Sequence, residues 1–211
     1  VIQLAFYINV YYIYGGDLKA SASVNMVGGV VYQILNLLAV FPVSKMATHY
    51  GKRHALIFFL FLAASGSLVS WFCLTPAAPW LQLVPMLLTA PGFAALWMLL
   101  NSMIPDICDY DELIHGERRE GMFAATTSFV GKLGMSLAGL AAGYVLVGSG
   151  FDADVGAEQA EGVLTTIRIL YCVVPAAVVL LAIWIFSKYP ITEERAYEIR
   201  AELEKRRGKS S

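Results

Sequence analysis

The chain has 211 residues, of which 58% are hydrophobic and only 15% are charged, with 15 basic against 16 acidic side chains. Soluble domains carry about 25% charged and about 45–50% apolar residues. The composition and a mean hydropathy of +0.63 therefore exclude an ordinary soluble domain. The apolar content also excludes a disordered chain, and a net charge of −1 gives no indication of nucleic-acid binding.

The charges are distributed unevenly along the chain. Between His54 and Pro105 there is no Asp, Glu, Lys or Arg. This stretch is long enough for two membrane spans of about 20 residues each and a tight turn. The sequence therefore predicts an all-α, polytopic protein embedded in the lipid bilayer.

Six membrane spans are predicted in chain order. The first, residues 1–14, covers only about 21 Å of helix, so we expect a truncated helix and a chain that is a fragment of a longer protein. The other five spans are predicted at residues 24–46, 55–75, 80–104, 122–147 and 164–186.

Basic residues are sorted to one side of the predicted spans. Most of the 15 Lys and Arg residues follow the second span, the fourth span or the last span. The positive-inside rule predicts that this side is cytoplasmic, which gives a multi-pass protein of the inner membrane with a cytoplasmic C-terminus. The tail, residues 189–211, is predicted to form a short helix capped by Thr192. A solvated helix is its simplest interpretation, and a contact site for lipid or protein is the alternative.

Lys132 is the residue least compatible with lipid. It lies ten residues after Met122, about 15 Å along the fifth span and near the bilayer midplane. A Lys at that depth costs roughly 2.5–3.5 kcal/mol even on a lenient insertion scale. We therefore expect Lys132, on one polar stripe with Thr127 and Ser128, to face a cavity. Snorkelling or structural pairing is the alternative.

Other polar or aromatic side chains lie at comparable depth. Trp97 of the fourth span lies about 12 Å inside the interface, where its ring can pack in the core or stack on a sugar. Gln33 and Asn36 of the second span can hydrogen-bond to a neighbouring helix or to substrate hydroxyl groups.

The connection between the fourth and fifth spans, residues 106–120, is crowded with charge. It holds six acidic residues and two arginines. A solvated loop is one interpretation, and a set of charge pairs that closes the cytoplasmic side is the other. No Walker loop, HExxH or GxSxG motif and no paired His/Cys set occurs, so nothing indicates an enzyme or a metal site.

Several motifs together resemble a known family. The run from Trp97 to Glu112 contains D-I-C-D-Y-D-E, and it is followed by R-R-E-G-M at 118–122, K-L-G at 132–134 and Y-P-I-T-E-E at 189–194. This pattern resembles the glycoside–pentoside–hexuronide:cation symporters, the melibiose permease group of the major facilitator superfamily. The resemblance covers essentially the whole chain and matches it to the C-terminal half, helices 7 to 12, of a twelve-helix fold.

The resemblance implies symport of a sugar or glycoside, coupled to Na⁺ or H⁺, by alternating access between two six-helix halves. It implies no enzyme activity and no cofactor. The coupling cation is expected to bind mainly in an N-terminal half, with no metal site in this half. A membrane sensor or scaffold on the same fold, or a superfamily transporter of a non-sugar solute, stays open as an alternative.

Residue roles carry over to matching positions. The expected substrate-binding residues are Trp97, Thr127, Ser128, Lys132, Gln33 and Asn36. Of these, Gln33 and Asn36 are included because of their depth in the membrane. The expected residues of a cytoplasmic gate are Asp106, Asp109, Glu112 and Arg118, with Arg118 pairing to one of the two aspartates. Thr48 stands where many superfamily members have Asp, which argues against a gate role for the G-K-R turn at 51–53.

Overall fold

The computed structural model describes residues 2–152, 155, 159 and 162–208, and the predicted features at residue 1, in most of 153–161 and at 209–211 lie outside the described residues. The described chain is helical and contains no strand. Its α-helices are α1 (Ile2–Tyr7), α2 (Leu18–Tyr50), α3 (Lys52–Cys73), α4 (Met86–His115), α5 (Glu120–Gly148), α6 (Val163–Ser187) and α7 (Glu193–Gly208). A π-helical segment, Ile8–Ile13, continues α1, and a 3₁₀ segment, Pro79–Leu83, precedes α4.

Helices α2 to α6 are each long and apolar enough to cross a membrane, α4 together with the 3₁₀ segment before it. This confirms the predicted fold class, an all-α polytopic membrane protein. The first apolar segment is also helical, and its apolar part, Leu4–Ile13, is shorter than a span.

Local sequence explains where the long helices begin and end. The Asp17 carboxylate accepts hydrogen bonds from the backbone N–H groups of Lys19 (2.9 Å) and Ala20 (3.0 Å), which caps the start of α2. Gly51, with φ 82°, separates α2 from α3 by a single residue, and Gly116, with φ 75°, ends α4.

Helix α3 lies at the centre of the packing, between α4, α6 and α2. In its apolar window 44% of the residues are buried, against 6% in α5. Gly92 of α4 permits close approach to α3, because a Cβ there would lie 2.7 Å from the Phe59 carbonyl oxygen. The buried core shared by α2, α3 and α4 comprises Val43, Ala47, Ala55, Leu56, Phe59, Leu60, Ala95, Leu99 and Met103.

Helix α5 is held to the rest of the chain mainly at its ends. Only Ala142 is buried along it, in a cluster with residues of α1 and α6 near the α5–α6 connection. A Cβ added at Gly131, Gly134 or Gly139 would meet nothing within 4 Å. These three glycines of α5 therefore do not serve packing within the described part of this chain, in contrast to Ala142.

Two predicted features differ in the structure. Helix α4 continues to His115, because residues 106–115 keep helical hydrogen bonding, so most of the acids assigned to a loop lie on a helix. The tail helix α7 is packed rather than solvated, since Ile199 and Leu203 are 1% and 5% exposed. These two apolar residues lie one helical turn apart and form its buried face.

Candidate functional site

Trp97 lies on the side of α4 that faces away from the core. Ala95 and Leu99 on the same helix are buried, whereas 59% of Trp97 is exposed. The Asn101 side chain donates a 2.8 Å hydrogen bond to the Trp97 carbonyl oxygen, so its amide is engaged within the helix. The indole ring is available to a ligand or to another helix.

Thr127, Ser128 and Lys132 are all exposed on α5. The Thr127 hydroxyl donates to the Phe123 carbonyl oxygen at 2.8 Å, within its own helix. Within the part of the chain that the structure describes, Lys132 has no ion-pair partner. The Lys132 ammonium group, in the middle of α5, therefore lies outside the packed core formed by the described residues.

The polar pair of α2 is also not used in the core. Gln33 is exposed, and the Asn36 amide donates a 2.8 Å hydrogen bond to the Tyr32 carbonyl oxygen of the same helix. The six expected substrate-binding residues are thus carried by three helices on unburied faces. No hydrogen bond or ion pair among the described residues joins those on one helix to those on another.

The charged residues converge at one end of the bundle, formed by the α2–α3 turn, the α4–α5 connection and α7. We call it the basic end. Asp106 of α4 is 5% exposed there, and its Oδ2 lies 2.6 Å from Lys52 Nζ. Its Oδ1 is bonded to Arg200 of α7. Lys52 Nζ also donates to the Ser102 carbonyl oxygen at 2.8 Å, so the lysine binds both a side chain and the backbone of α4.

Arg118 pairs with a different set of acids. Its Nη1 lies 3.3 Å from Asp109 Oδ1 and 3.2 Å from Glu112 Oε2, and its guanidinium also binds Glu120. The hydrogen bonds that Arg118 donates to Glu120 are the main cause that raises the pKa of Arg118 above its usual value; the charges of Glu120, Asp109 and Glu112 raise it further, and burial acts in the opposite direction. Of the two aspartates expected for Arg118, the structure pairs it with Asp109, while Asp106 is paired with Lys52 and Arg200.

A second arginine of the same connection forms its own pair. Arg119 Nε and Nη2 donate to the two Asp111 oxygens at 2.9 and 2.7 Å. His115 Nδ1 also lies 2.9 Å from Asp111 Oδ1. The planar guanidinium matches the carboxylate with two parallel bonds, which fixes the connection against the end of α4.

Sequence reasoning missed Lys52, Arg119, Asp111 and Arg200. The presence of Thr48 in place of Asp argued against a role for the 51–53 turn, yet Lys52 in that turn binds Asp106, the most buried acid among the described residues. Arg200 could have been found from its neighbour Ile199, because one apolar residue per turn in a charged tail marks a packed face.

The opposite end holds a cation that sequence reasoning also missed. Arg168 of α6 donates to the Tyr12 hydroxyl at 2.6 Å and bonds to the Trp71 carbonyl oxygen. Its guanidinium lies 5.0 Å from the Tyr12 ring centre and 4.2 Å from that of Trp71. The signal in the sequence is a lone Arg in an otherwise apolar helix, and its role here is to join the first helix, α3 and α6.

A cleft of about 500 Å³ opens at the basic end, between the α2–α3 turn and α7. Burial raises the pKa of Tyr189, at its wall, to about 12, and the hydroxyl has no hydrogen-bond partner among the described residues. The lining charges offset one another, and they are Lys52, Arg53, Asp106, Glu193, Glu194 and Arg200. Among the described residues no three His, Cys, Asp or Glu side chains are grouped to hold a metal ion.

Comparison with known proteins gives consistent relatives. The family model described as MFS/sugar transport protein matches residues 2–193. A putative glycoside/cation symporter of Escherichia coli (strain K12), YagG, is 34% identical over 105 residues, which is 50% of this chain and 23% of that protein. A glucuronide carrier protein homolog of the same strain is 27% identical over 165 residues, covering 78% of this chain and 35% of the carrier.

A relative that is named for a different substrate also matches. The sodium-dependent lysophosphatidylcholine symporter 1 of Gallus gallus is 30% identical over 56% of this chain and 22% of its own length. The chain thus spans well under half of each of these relatives. No solved structure matches the chain.

The family model covers nearly the whole chain, and the family and these relatives are transporters rather than enzymes. The chain therefore belongs to the major facilitator superfamily, in the group of glycoside–pentoside–hexuronide:cation symporters.

Proposed function

We propose that this chain supplies the C-terminal six-helix half of a symporter that moves a sugar or glycoside together with Na⁺ or H⁺ by alternating access. The observation that carries the proposal is the exposed ammonium group of Lys132 on α5, a helix able to span the membrane, for which the described residues offer no ion-pair partner. The names of two relatives, the glycoside/cation symporter and the glucuronide carrier, support a sugar or glycoside as the substrate class.

The position of Lys132 requires a partner outside the described residues. A bare ammonium in hydrocarbon is unfavourable by roughly 2.5–3.5 kcal/mol or more, so the α5 face that carries it does not face lipid. A second six-helix half, packed against α2 and α5, would enclose the exposed polar faces in a central cavity. The ammonium would then bind substrate oxygens or a carboxylate of the other half.

The other proposed substrate contacts follow from their chemistry. The exposed face of Trp97 offers an apolar plane for the C–H side of a sugar ring. Thr127, Ser128, Gln33 and Asn36 offer hydroxyl and amide groups for sugar hydroxyls. A cavity that exposes both kinds of group fits an amphipathic ring better than an ion or a purely apolar solute.

The basic end serves as the cytoplasmic gate in this proposal. Arg118 is the member of the Arg118–Asp109–Glu112 set exposed enough to exchange partners with another half, because it is 41% exposed while Asp109 and Glu112 are 14% and 15% exposed. Asp106, at 5% exposure, is committed to partners within this chain. The basic end faces the cytoplasm by the positive-inside rule, in an inner membrane, and the coupling cation binds mainly to the N-terminal half.

A second candidate substrate is an amphiphilic lipid, which the name of the lysophosphatidylcholine symporter favours. Lys132 would then bind a phosphate rather than a sugar hydroxyl. The two candidate substrates predict different competitors for the binding site, a glycoside in one case and a lysophospholipid in the other.

Uptake of a radiolabelled glycoside by the full-length protein in proteoliposomes tests the proposal. We expect uptake to depend on an imposed Na⁺ or H⁺ gradient and to fall at least about tenfold with Lys132→Ala and with Trp97→Ala, a loss of about 1.4 kcal/mol of transition-state binding. Lys19→Ala and Trp80→Ala serve as matched controls. They change the same residue types at exposed sites near the end of the bundle opposite the basic end. Gradient-independent uptake that survives both site variants, or competition by lysophospholipid but by no glycoside, contradicts the sugar proposal.

A further inference from the structure

The tail helix α7 is anchored on the inner end of α4. Its residues Ile199 and Leu203 are 1% and 5% exposed, although most of the other residues of the helix are charged. Arg206 of the same helix donates a 3.0 Å hydrogen bond to the Leu113 carbonyl oxygen near the end of α4. The tail is therefore a docked element and not a solvated extension.

The charge at the centre of this contact is shared by two cations. Asp106 binds Lys52 through one oxygen and Arg200 through the other. Because Asp106 is 5% exposed, loss of either cation leaves one oxygen of a buried carboxylate without its ion-pair partner. Docking of α7 thus supplies the partner of one of the two carboxylate oxygens.

Arg200 also reaches the acid that Arg118 binds. Arg200 Nε lies 3.6 Å from Asp109 Oδ2, and Arg118 Nη1 lies 3.3 Å from Asp109 Oδ1. One carboxylate therefore carries an arginine of the tail on one oxygen and an arginine of the α4–α5 connection on the other. A change in either pair alters the charge and orientation that the carboxylate presents to the other arginine.

We propose that Arg200 is a positioning residue of the gate, through which docking of the tail helix sets the strength of the Asp109–Arg118 pair. The inference rests on the gate of the proposed function but not on the identity of the substrate. In the docked state, Arg200 holds Asp109 in place for Arg118. Release of the tail leaves Arg118 as the cation on Asp109 and changes how readily the basic end opens.

Docking is tested without any transport measurement. The full-length protein carries Leu203→Cys as the sole thiol, its native cysteines, among them the three of this chain, being replaced by Ala, and its rate of maleimide labelling is measured in membranes. We expect Arg200→Ala to raise this rate roughly tenfold, because the buried face of the tail is released more often. Arg200→Lys keeps the charge and should restore most of the protection.

Two controls make the docking result specific. Arg195→Ala removes an arginine of the same helix whose ion pair, with Glu198, is local to α7, and it should leave the labelling rate unchanged. Glu204→Cys, at an exposed position of the tail, should label rapidly in every variant. Equal protection of Leu203→Cys in the Arg200→Ala and Arg195→Ala proteins overturns the proposal.

Coupling to the gate is tested by a double-mutant cycle. The readout is labelling of Ala124→Cys, an exposed α5 residue near the basic end, by a membrane-impermeant maleimide from that side. Arg118→Ala and Arg200→Ala should each change the rate, and the double variant should depart from the product of the two changes by at least about threefold. Arg118→Ala combined with Arg195→Ala should show no such departure.

The two readouts separate the inference from the proposed function. Independent, multiplicative effects of Arg118→Ala and Arg200→Ala overturn the coupling whatever the substrate proves to be. Absence of glycoside uptake by the unmodified protein contradicts the proposed substrate, while a protected tail and a coupled cycle still support the role of Arg200.

Discussion

Lys52 Nζ and Asp106 Oδ2 lie 2.6 Å apart, although 54 positions separate the two residues along the chain. The pair joins the first turn of α3 to the inner part of α4. Arg200, on the tail helix, binds the other oxygen of the same carboxylate. The basic end is thus held by one buried acid that three segments of the chain share.

Removal of this acid should destabilise the protein. Asp106→Ala leaves Lys52 and Arg200 without their common partner, and we expect a loss of about 1–3 kcal/mol, less than for a fully buried pair because both cations are partly exposed. Thermal unfolding of the purified protein in detergent, followed by tryptophan fluorescence, measures the change. Glu198→Ala, which breaks an exposed pair of α7, is the control and should have little effect. Equal midpoints for the two variants would contradict the assignment.

The close approach of α3 and α4 should not tolerate a side chain at Gly92. A Cβ in Gly92→Ala would lie 2.7 Å from the Phe59 carbonyl oxygen, which is backbone and cannot rotate away. We expect a loss of about 1–3 kcal/mol, typical of overpacking, in the same unfolding measurement. Gly148→Ala, where nothing lies within 4 Å, is the matched control. A Gly92→Ala protein as stable as the control would show that the helices can separate at little cost.

Arg168 should not be replaceable by lysine. Its guanidinium bonds to the Tyr12 hydroxyl at 2.6 Å and to the Trp71 carbonyl oxygen while it lies over both rings. An ammonium group lacks the planar fork and stacks less well, so Arg168→Lys should lower stability almost as much as Arg168→Ala. The melting temperature in detergent is the measurement, and Lys188, which stacks on Trp184 alone, offers Lys188→Ala as a control. A melting temperature of Arg168→Lys equal to that of the unmodified protein would show that only the positive charge of Arg168 matters for stability.

The Arg118 network should bias the transporter between its states. If Arg118 holds Asp109 in the outward-facing state, Arg118→Ala shifts the population toward the inward-open state. A cysteine at a position that lines the inner cavity should then label faster from the cytoplasmic side, and Arg195→Ala should leave its labelling unchanged. An unaltered labelling rate in Arg118→Ala would show that the pairs at the end of α4 do not act as a gate.

The sequence predicted the membrane class and the sorting of basic residues to one side, and the structure places those residues at one end of the bundle. It did not predict that α4 continues to His115, because the charges at 106–115 suggested a loop where helical hydrogen bonding in fact persists. The packed tail was also missed, since two apolar residues one turn apart give a weak signal in a segment rich in charge. The sugar-binding roles of Trp97, Thr127, Ser128, Lys132, Gln33 and Asn36 stay predictions.

The sequence by itself determined that this chain crosses a membrane and that Lys132 is out of place in lipid. Both conclusions follow from the cost of transferring charge into hydrocarbon, which depends on residue type and depth and not on neighbours. Only the tertiary structure decided which cation binds which acid. Asp106 is paired across 54 and 94 positions of sequence, and these partners are chosen by the packing of α3, α4 and α7. Ion pairs between residues that are far apart in the sequence leave no periodic pattern in it. Only the fold could therefore assign Asp106 to the tail and Asp109 to Arg118.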